Sequence, residues 1–225
     1  MSPSARPTRA LEPRVPDELD DGADAALDHD TEWSGLALSG DWSDAEAEDV
    51  EIIGCAFTAA QLTGARLERI RITDTTFSSC ELSGAILQSA VLTRVTFTGC
   101  RMSGFVASQS QLRDVVLRDC RLDVANLRLA RGERVELDGC DLTNAELQGA
   151  EVTGARLTRC DLTGTELAQS KLPGVHLHGS RLDAVKSAGT LKGAVIASDQ
   201  IIPLALRLFA AMKVVVDDDP DPPAP

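Results

Sequence analysis

A strict period of five residues constrains this chain more than any other feature of its sequence. From Ile52 to Ser187, every fifth residue is large and apolar at 25 of 28 positions, the exceptions being Ala107, Gly132 and Ser187. The position two residues earlier is Ala, Cys, Val, Ser or Thr in 26 of 28 units. Neither an α-helix, with 3.6 residues per turn, nor an alternating strand produces this period. Residues two apart point to the same side of an extended segment, so each unit is predicted to be a short strand followed by a corner.

The spacing of the cysteines indicates how many units make one coil. Five of the six cysteines lie twenty residues apart, at Cys80, Cys100, Cys120, Cys140 and Cys160. Four units of five therefore complete a coil, and equivalent faces stack about 4.8 Å apart. We predict an all-β solenoid, a quadrilateral β-helix of about seven coils over residues 41–190. The thiols are expected to be small buried side chains, because zinc sites cluster Cys and His within a few residues.

Two places depart from the inward pattern. Large and small residues are exchanged at Phe105 and Ala107, which keeps the total core volume. Both inward residues are small at Ala130 and Gly132. The second departure predicts a thin spot on one face, filled by a neighbouring side chain, by water or by a local bend.

Individual units resemble a known consensus. Ala-Glu-Leu-Gln-Gly at 145–149, Cys-Asp-Leu-Thr-Asn at 140–144 and Cys-Asp-Leu-Thr-Gly at 160–164 are similar to the repeats of the pentapeptide-repeat family. The resemblance covers about 140 of the 225 residues. It implies that the β-helix is right-handed, and it says little about function, because one fold serves many functions.

The C-terminal sequence extends this resemblance. Leu-Lys-Gly-Ala from Leu191, then Ser-Asp-Gln, an apolar helix and a valine run are similar to the ends of actinobacterial members such as the mycobacterial fluoroquinolone-resistance protein. The resemblance implies dimerisation through this end and binding to DNA gyrase as a mimic of duplex DNA.

The two ends of the chain differ from the repeats in composition. Residues 1–40 are rich in Pro, Ala and Asp and are predicted to be a disordered acidic tail, with Trp42, which is in register with the repeats, and Trp33 as lids on the first coil. Residues 191–216 are predicted to be a cap with a helix at about 200–213 and a short strand from Val214 to Val216, and residues 217–225 an acidic, Pro-rich tail. One stripe of the helix should pack on the last coil (Ile201, Leu204, Ala205, Leu208, Met212). The other is a candidate homodimer interface (Ile202, Leu206, Phe209).

The distribution of charge bears on the choice between a scaffold and a DNA mimic. The net charge is −13, but residues 50–190 hold 16 acidic and 16 basic residues, so the repeats are neutral. Stacked pairs such as Arg121 with Asp141 and Asp161 with Arg181 are expected to form ion-pair ladders. One group of acids shares the same outward position of its units and is a candidate interaction belt: Glu136, Asp141, Glu146, Glu151, Asp161 and Glu166.

Three classes of function remain at this stage. A non-enzymatic protein-interaction scaffold with an unknown partner is favoured, a gyrase-binding DNA mimic is second, and an enzyme is third, because a filled solenoid offers no concave pocket for catalysis. His176 and His178 flank Leu177 and should project outward as solvated side chains rather than as metal ligands. No cofactor, direct nucleic-acid binding or membrane span is expected. The expected location is cytoplasmic, since no signal-peptide pattern is present and the thiols suit a reducing compartment.

Overall fold

The computed structural model describes residues 9–22 and 25–215, which form a four-sided solenoid of parallel strands with one C-terminal α-helix. Its strands are β1 Asp20–Asp21, β2 Glu32–Ser34, β3 Leu36–Leu38, β4 Glu46–Glu48, β5 Glu51–Ile53, β6 Ala56–Thr58, β7 Arg66–Glu68, β8 Arg71–Ser78, β9 Val91–Thr98, β10 Gln111–Arg118, β11 Arg131–Asp138, β12 Glu151–Thr153 and β13 Arg156–Thr158. Short 3₁₀ turns at Ala188–Leu191 and Ser198–Gln200 precede the helix α1, Ile201–Ala211.

The strands pair in a register of twenty residues. In β9 and β10, Val91 lies beside Gln111 and Phe97 beside Leu117, and isolated bridges such as Gln61 with Glu81 continue the same spacing on the other sides. The predicted solenoid of about seven coils is therefore confirmed. We number its four faces by the large inward residue of each five-residue unit, which recurs every twenty residues on the same face. Face 1 runs from Ile52 to Leu172, face 2 from Phe57 to Leu177, face 3 from Leu62 to Leu182 and face 4 from Leu67 to Leu167.

The strands of faces 1 and 2 are longer than the others because they join across their shared corner. β8, β9, β10 and β11 are each eight residues long and turn at one residue with a left-handed backbone: Asp74, Arg94, Asp114 and Arg134. Glycine adopts a positive φ without a steric cost, whereas these four corners carry side chains instead. The result is a column of charged residues along one edge of the rod.

The inward residues fill the interior. Phe57 stacks on Phe77 at 4.3 Å between ring centroids, and Phe77 on Phe97 at 4.7 Å. All six cysteines are free and buried, and thiols of the five-cysteine column donate to carbonyls two residues earlier, as Cys120 does to Arg118 at 3.3 Å. An interior cavity near the N-terminal end measures only about 10 Å³. Solenoid interiors of this kind are packed cores rather than pockets.

Both irregular units are accommodated as the sequence indicated. Phe105 and Ala107 are both buried in the core. At Gly132 the neighbours close the thin spot, since a Cβ there would lie 2.9 Å from a methyl of Val135 and 3.2 Å from one of Val152. Side chains from the next face and from the next coil therefore fill the missing volume.

The N-terminal end contains a further coil that the periodicity did not reveal. Trp33 pairs with Ile52 and Leu38 with Phe57, nineteen positions apart rather than twenty, whereas Asp41 and Gln61 are again twenty apart. One residue is thus missing from the corner between Leu38 and Asp41. The two tryptophans cover the core as predicted, with their ring centroids 5.2 Å apart and each 6.2 Å from Phe57.

The first forty residues differ from the expected disordered tail wherever the structure describes them. β1 pairs with β3, the indole of Trp42 donates to the carbonyl of Ala25, and residues 9–16 run along the outside of the rod. The composition suggested disorder because the segment has few large apolar residues. It is held by hydrogen bonds and ion pairs with the solenoid and by the burial of Trp33 and Leu38 in the core.

The C-terminal cap begins where the register shortens again, as His176 pairs with Val195 at nineteen positions. The side-chain amide of Gln200 is buried and donates to the carbonyls of Leu177 and Ser180, both at 2.6 Å. Leu204 is buried and Leu208 half-buried against the core. The coil-facing stripe is narrower than predicted, because Ile201 and Met212 are exposed.

The final segment also differs from its prediction. Val214 and Val215 are not in a strand, and Val216 and the expected acidic tail at 217–225 lie outside the described residues. None of the helices in the described ranges is long and apolar enough to cross a membrane.

Candidate interaction surfaces

The six belt residues encircle the rod rather than lining one side. Consecutive units lie on consecutive faces, so Glu136 is on face 2 and Glu151 on face 1. The remaining four form two stacked pairs, Asp141 above Asp161 on face 3 and Glu146 above Glu166 on face 4. At the opposite end of the rod, Glu32 and Glu51 also stack at this position, on face 1.

Nearby cations neutralise most of the belt. Lys171 lies 2.6 Å from Glu151, Arg181 3.0 Å from Asp161, Arg128 3.7 Å from Glu146 and Arg9 3.8 Å from Glu136. Asp141 and Glu166 instead accept hydrogen bonds from local donors, among them the hydroxyls of Thr143 and Ser187. The hydrogen bond and charge of Lys171 lower the pKa of Glu151. The belt therefore offers less free negative charge than its composition suggests.

One of the expected ion-pair ladders is present and the other is not. The Asp161–Arg181 pair forms as predicted. Arg121 stacks beside Asp141, but its guanidinium contacts Asp123, 2.9 Å away. Asp123 lies in the turn two residues after Arg121, so it is nearer to this arginine than the carboxylate of the next coil.

The outward side of α1 is apolar and uncovered. The three residues predicted for a dimer interface share it: Ile202 is 72% exposed, Leu206 63% and Phe209 48%. Met212 and Val215 extend the same apolar surface. Exposed apolar area of this extent typically marks a protein contact. Its position at one end of the rod follows from the shortened last coil, which turns the chain across the core.

A shallow groove crosses face 1 above the thin spot. It has a volume of about 680 Å³, and its floor is formed by Leu112, Gly132 and Val152. Charged residues of both signs line its sides, including Arg131 and Glu133. The groove is open to solvent and mixed in charge, so it has no convergent set of catalytic groups.

A surface that sequence reasoning missed lies along the corner between faces 1 and 2. Arg94 holds Asp74 with two hydrogen bonds of 2.6 Å, and Arg134 holds Asp114 with bonds of 2.6 and 2.8 Å. We call these four residues the corner ladder. The charge of the neighbouring arginine, through these bonds, lowers the pKa of both aspartates. Their twenty-residue spacing in the sequence, Asp-Arg-Asp-Arg, is the signal that could have identified the ladder.

Residues 9–16 lie on the corner ladder, and we call them the N-terminal strap. Their backbone amides donate to carboxylates of the rod: Ala10 to Glu136 at 2.9 Å, Leu11 to Asp114 at 3.0 Å and Arg14 to Asp74 at 3.0 Å. Glu12 also pairs with Arg118 at 2.9 Å. These bonds use backbone N–H groups, which carry no side-chain signature, so no sequence pattern marked them.

All six thiols are buried, and their pKa values shift in both directions, since hydrogen bonding to Cys140 lowers the pKa of Cys160. Hydrogen bonding to Cys120 raises the pKa of Cys100 to about 11, and hydrogen bonding to Cys100, together with burial, raises that of Cys80. The rings of His176 and His178 lie 5.8 Å apart, and burial lowers the pKa of His176. Within residues 9–22 and 25–215, no three His, Cys, Asp or Glu side chains are arranged to hold a metal ion.

Comparisons with known proteins agree with the geometry. A family model described as a pentapeptide repeat region matches residues 50–127, and a model of eight pentapeptide repeats matches 110–149, 133–164 and 150–186. No curated protein matches the chain.

Among solved structures, a trypsin-treated form of QnrB1, a plasmid-mediated fluoroquinolone resistance protein, is 21% identical, with a TM-score of 0.45 over 89% of this chain and 98% of that one. HetL, a pentapeptide-repeat protein of heterocyst differentiation regulation from Nostoc sp. strain PCC 7120, is 22% identical, with a TM-score of 0.34 over 76% and 90%.

Proposed function

Since the chain belongs to the pentapeptide-repeat family, we propose that it is a non-enzymatic protein-interaction module of the cytoplasm. The rod is a filled, rigid scaffold, and its function resides in the surfaces that it presents. The observation that carries the proposal is the uncovered apolar side of α1, where Leu206 is 63% exposed.

The first partner of that surface is a second copy of the chain. Twofold dimers are the commonest assembly, and a single helix face can pair with its own copy about such an axis. Burying Ile202, Leu206 and Phe209 in this way would remove the largest exposed apolar side chains of α1 from water, each of which contributes about 1.5–3 kcal/mol when fully buried. The dimer would place two rods end to end.

Sedimentation of two charge-matched variants tests the dimer. We expect Leu206→Glu combined with Phe209→Glu to give monomers, because the change places two carboxylates in an apolar contact. The control is Arg207→Glu, which also lowers the charge by two units but replaces an exposed charged residue that is not one of the three proposed interface residues. It should sediment as the wild type does. A wild-type protein that is monomeric at micromolar concentration would contradict the proposal.

A gyrase-binding DNA mimic is the second candidate, and one observation favours it. Asp141, Asp161, Glu146 and Glu166 form a four-carboxylate patch on faces 3 and 4, in two successive coils near the α1 end. Residues 50–190 carry no net charge, whereas duplex DNA carries one negative charge per about 1.7 Å. The candidate is therefore restricted to this patch. Failure of the purified protein to inhibit gyrase supercoiling at low salt would exclude it and leave the dimeric module intact.

A further inference from the structure

The strap is attached to the rod in an unusual manner for an ordered terminal segment. None of residues 9–16 is buried, and Leu11, its largest apolar side chain, is 52% exposed. The contacts that hold it are hydrogen bonds and ion pairs near the surface, which are individually weak and sensitive to salt. Segments with few buried apolar contacts belong to the part of a structure that opens most readily. The strap can therefore leave the rod while the core stays folded.

The spacing of the anchor points explains why an extended chain fits this corner. Asp74 and Asp114 are two coils apart, which is about 9.6 Å along the rod. Their donors, the amides of Leu11 and Arg14, are three residues apart, and three residues of extended chain also span about 9–10 Å. The ladder thus binds the amides of positions n and n+3. Pro13, at position n+2, has no amide to lose and favours the extended conformation.

The surface beneath the strap has the features of a binding site. Thr96 and Val116 occupy outward positions of face 2, yet they are 6% and 3% exposed, and the strap's anchors at Asp74, Asp114 and Glu136 bracket them. The hydroxyl of Thr96 is buried without a hydrogen-bond partner. A buried polar group of this kind carries a cost that a better-matched ligand would remove.

We propose that the corner ladder, with Glu136 and Thr96, is a docking site for an extended, proline-containing and arginine-bearing segment of a partner protein, and that the strap occupies this site in cis. The partner segment would donate its n and n+3 amides to Asp114 and Asp74 and place an arginine beside Glu136, as Arg9 does. The site lies on the side of the rod, away from α1. The proposal therefore stands or falls independently of dimerisation.

Hydrogen exchange of the intact wild-type protein tests the attachment directly. The amides of Leu11 and Arg14 should exchange at least tenfold more slowly than those of Glu12 and Val15, which make none of the strap's hydrogen bonds to the rod. Equal exchange of all four amides would overturn the proposal.

Binding in trans tests the site itself. In the wild type the tethered strap competes with any added peptide at high effective concentration. The full-length double variant Leu11→Pro and Arg14→Pro releases the strap, because proline lacks the backbone N–H groups that bind Asp114 and Asp74. A fluorescein-labelled peptide of residues 9–18 should bind this variant at least tenfold more tightly than it binds the wild type. Val15→Pro, which leaves every anchoring amide in place, is the matched control and should behave as the wild type does.

The peptide supplies a second control that leaves the protein unchanged. N-methylation at Leu11 and Arg14 of the peptide should weaken its binding to the release variant at least tenfold, whereas N-methylation at Glu12 and Val15 should not. Absence of binding, or equal loss with both methylated peptides, would overturn the proposal. A peptide that converts wild-type dimers to monomers would show strap exchange between two copies and would overturn the assignment to a partner protein.

Discussion

Asp114 and Arg134 form the most buried ion pair among the described residues, with side chains 2% and 17% exposed. Asp114 accepts two bonds from the guanidinium and one from the amide of Leu11, and these partners, the arginine first, lower its pKa from 3.8. A carboxylate with a lowered folded-state pKa stabilises the protein at neutral pH. That contribution is lost as pH falls below about 3.8, through the folded-state pKa.

Asp114→Asn should therefore lower the free energy of unfolding by about 2–3 kcal/mol at pH 7, the order expected for hydrogen bonds to charged groups. The difference from the wild type should shrink as pH falls below 3.8, because Asp114 of the unfolded wild-type chain then takes up a proton before Asp114 of the folded protein does. Urea unfolding at pH 7 and at pH 3 measures both effects. Glu151→Gln, at an exposed ion pair, is the control and should change stability little. A pH-independent difference would contradict the assigned role of the carboxylate.

Two leucines of the repeats allow truncation of a buried side chain to be compared with truncation of an exposed one. Leu142 is fully buried, whereas Leu129 is 55% exposed at a corner. Leu142→Ala should lower the free energy of unfolding by about 2–5 kcal/mol, because it leaves a cavity among stacked coils. Leu129→Ala removes the same atoms without forming a cavity and should have a much smaller effect. Equal effects in thermal or urea unfolding would be inconsistent with the inward register.

At the scale of elements, the periodic part of the chain could be predicted and the irregular ends could not. Inward positions from Ile52 to Leu182 follow from a spacing of five residues that does not change within this range. The first coil was missed because one residue is absent between Leu38 and Asp41, which moves Trp33 and Leu38 out of register. The belt was recognised by its residue type, but the cations that pair with it come from other coils and from the strap, as Arg9 does.

The tryptophan-covered first coil should respond to mutation as a local unit. In a solenoid each coil contacts only its neighbours, so loss of an end cap loosens the end before the middle. Trp33→Ala removes the ring that packs on Trp42 and Phe57. We expect red-shifted and more quenchable Trp42 fluorescence, with little change in the main unfolding transition. Phe97→Ala, a change in a central coil, is the contrast and should lower that main transition instead.

At the scale of the whole molecule, the balance of charge decides between the two candidate functions. If the patch on faces 3 and 4 binds a basic surface of gyrase, Glu146→Lys with Glu166→Lys should abolish inhibition of supercoiling. The charge-matched control is Glu133→Lys with Glu151→Lys, on face 1, which should retain it. Inhibition should also weaken as salt rises, because the Debye length falls from about 10 Å at 0.1 M to 3 Å at 1 M. Equal loss in both variants would indicate a non-specific charge effect.

The two nineteen-residue coils at the ends, set against the twenty-residue coils between them, determine how a protein of this kind can change in size. A whole twenty-residue coil can be gained or lost from the middle without disturbing either end, since every remaining side chain still stacks on a residue of the same face. A gain or loss of five, ten or fifteen residues would instead move all later residues onto a different face. The length of the rod can therefore change during evolution in steps of one coil, about 4.8 Å each. Each such step changes the distance between the surfaces at its two ends while leaving the surfaces themselves unaltered.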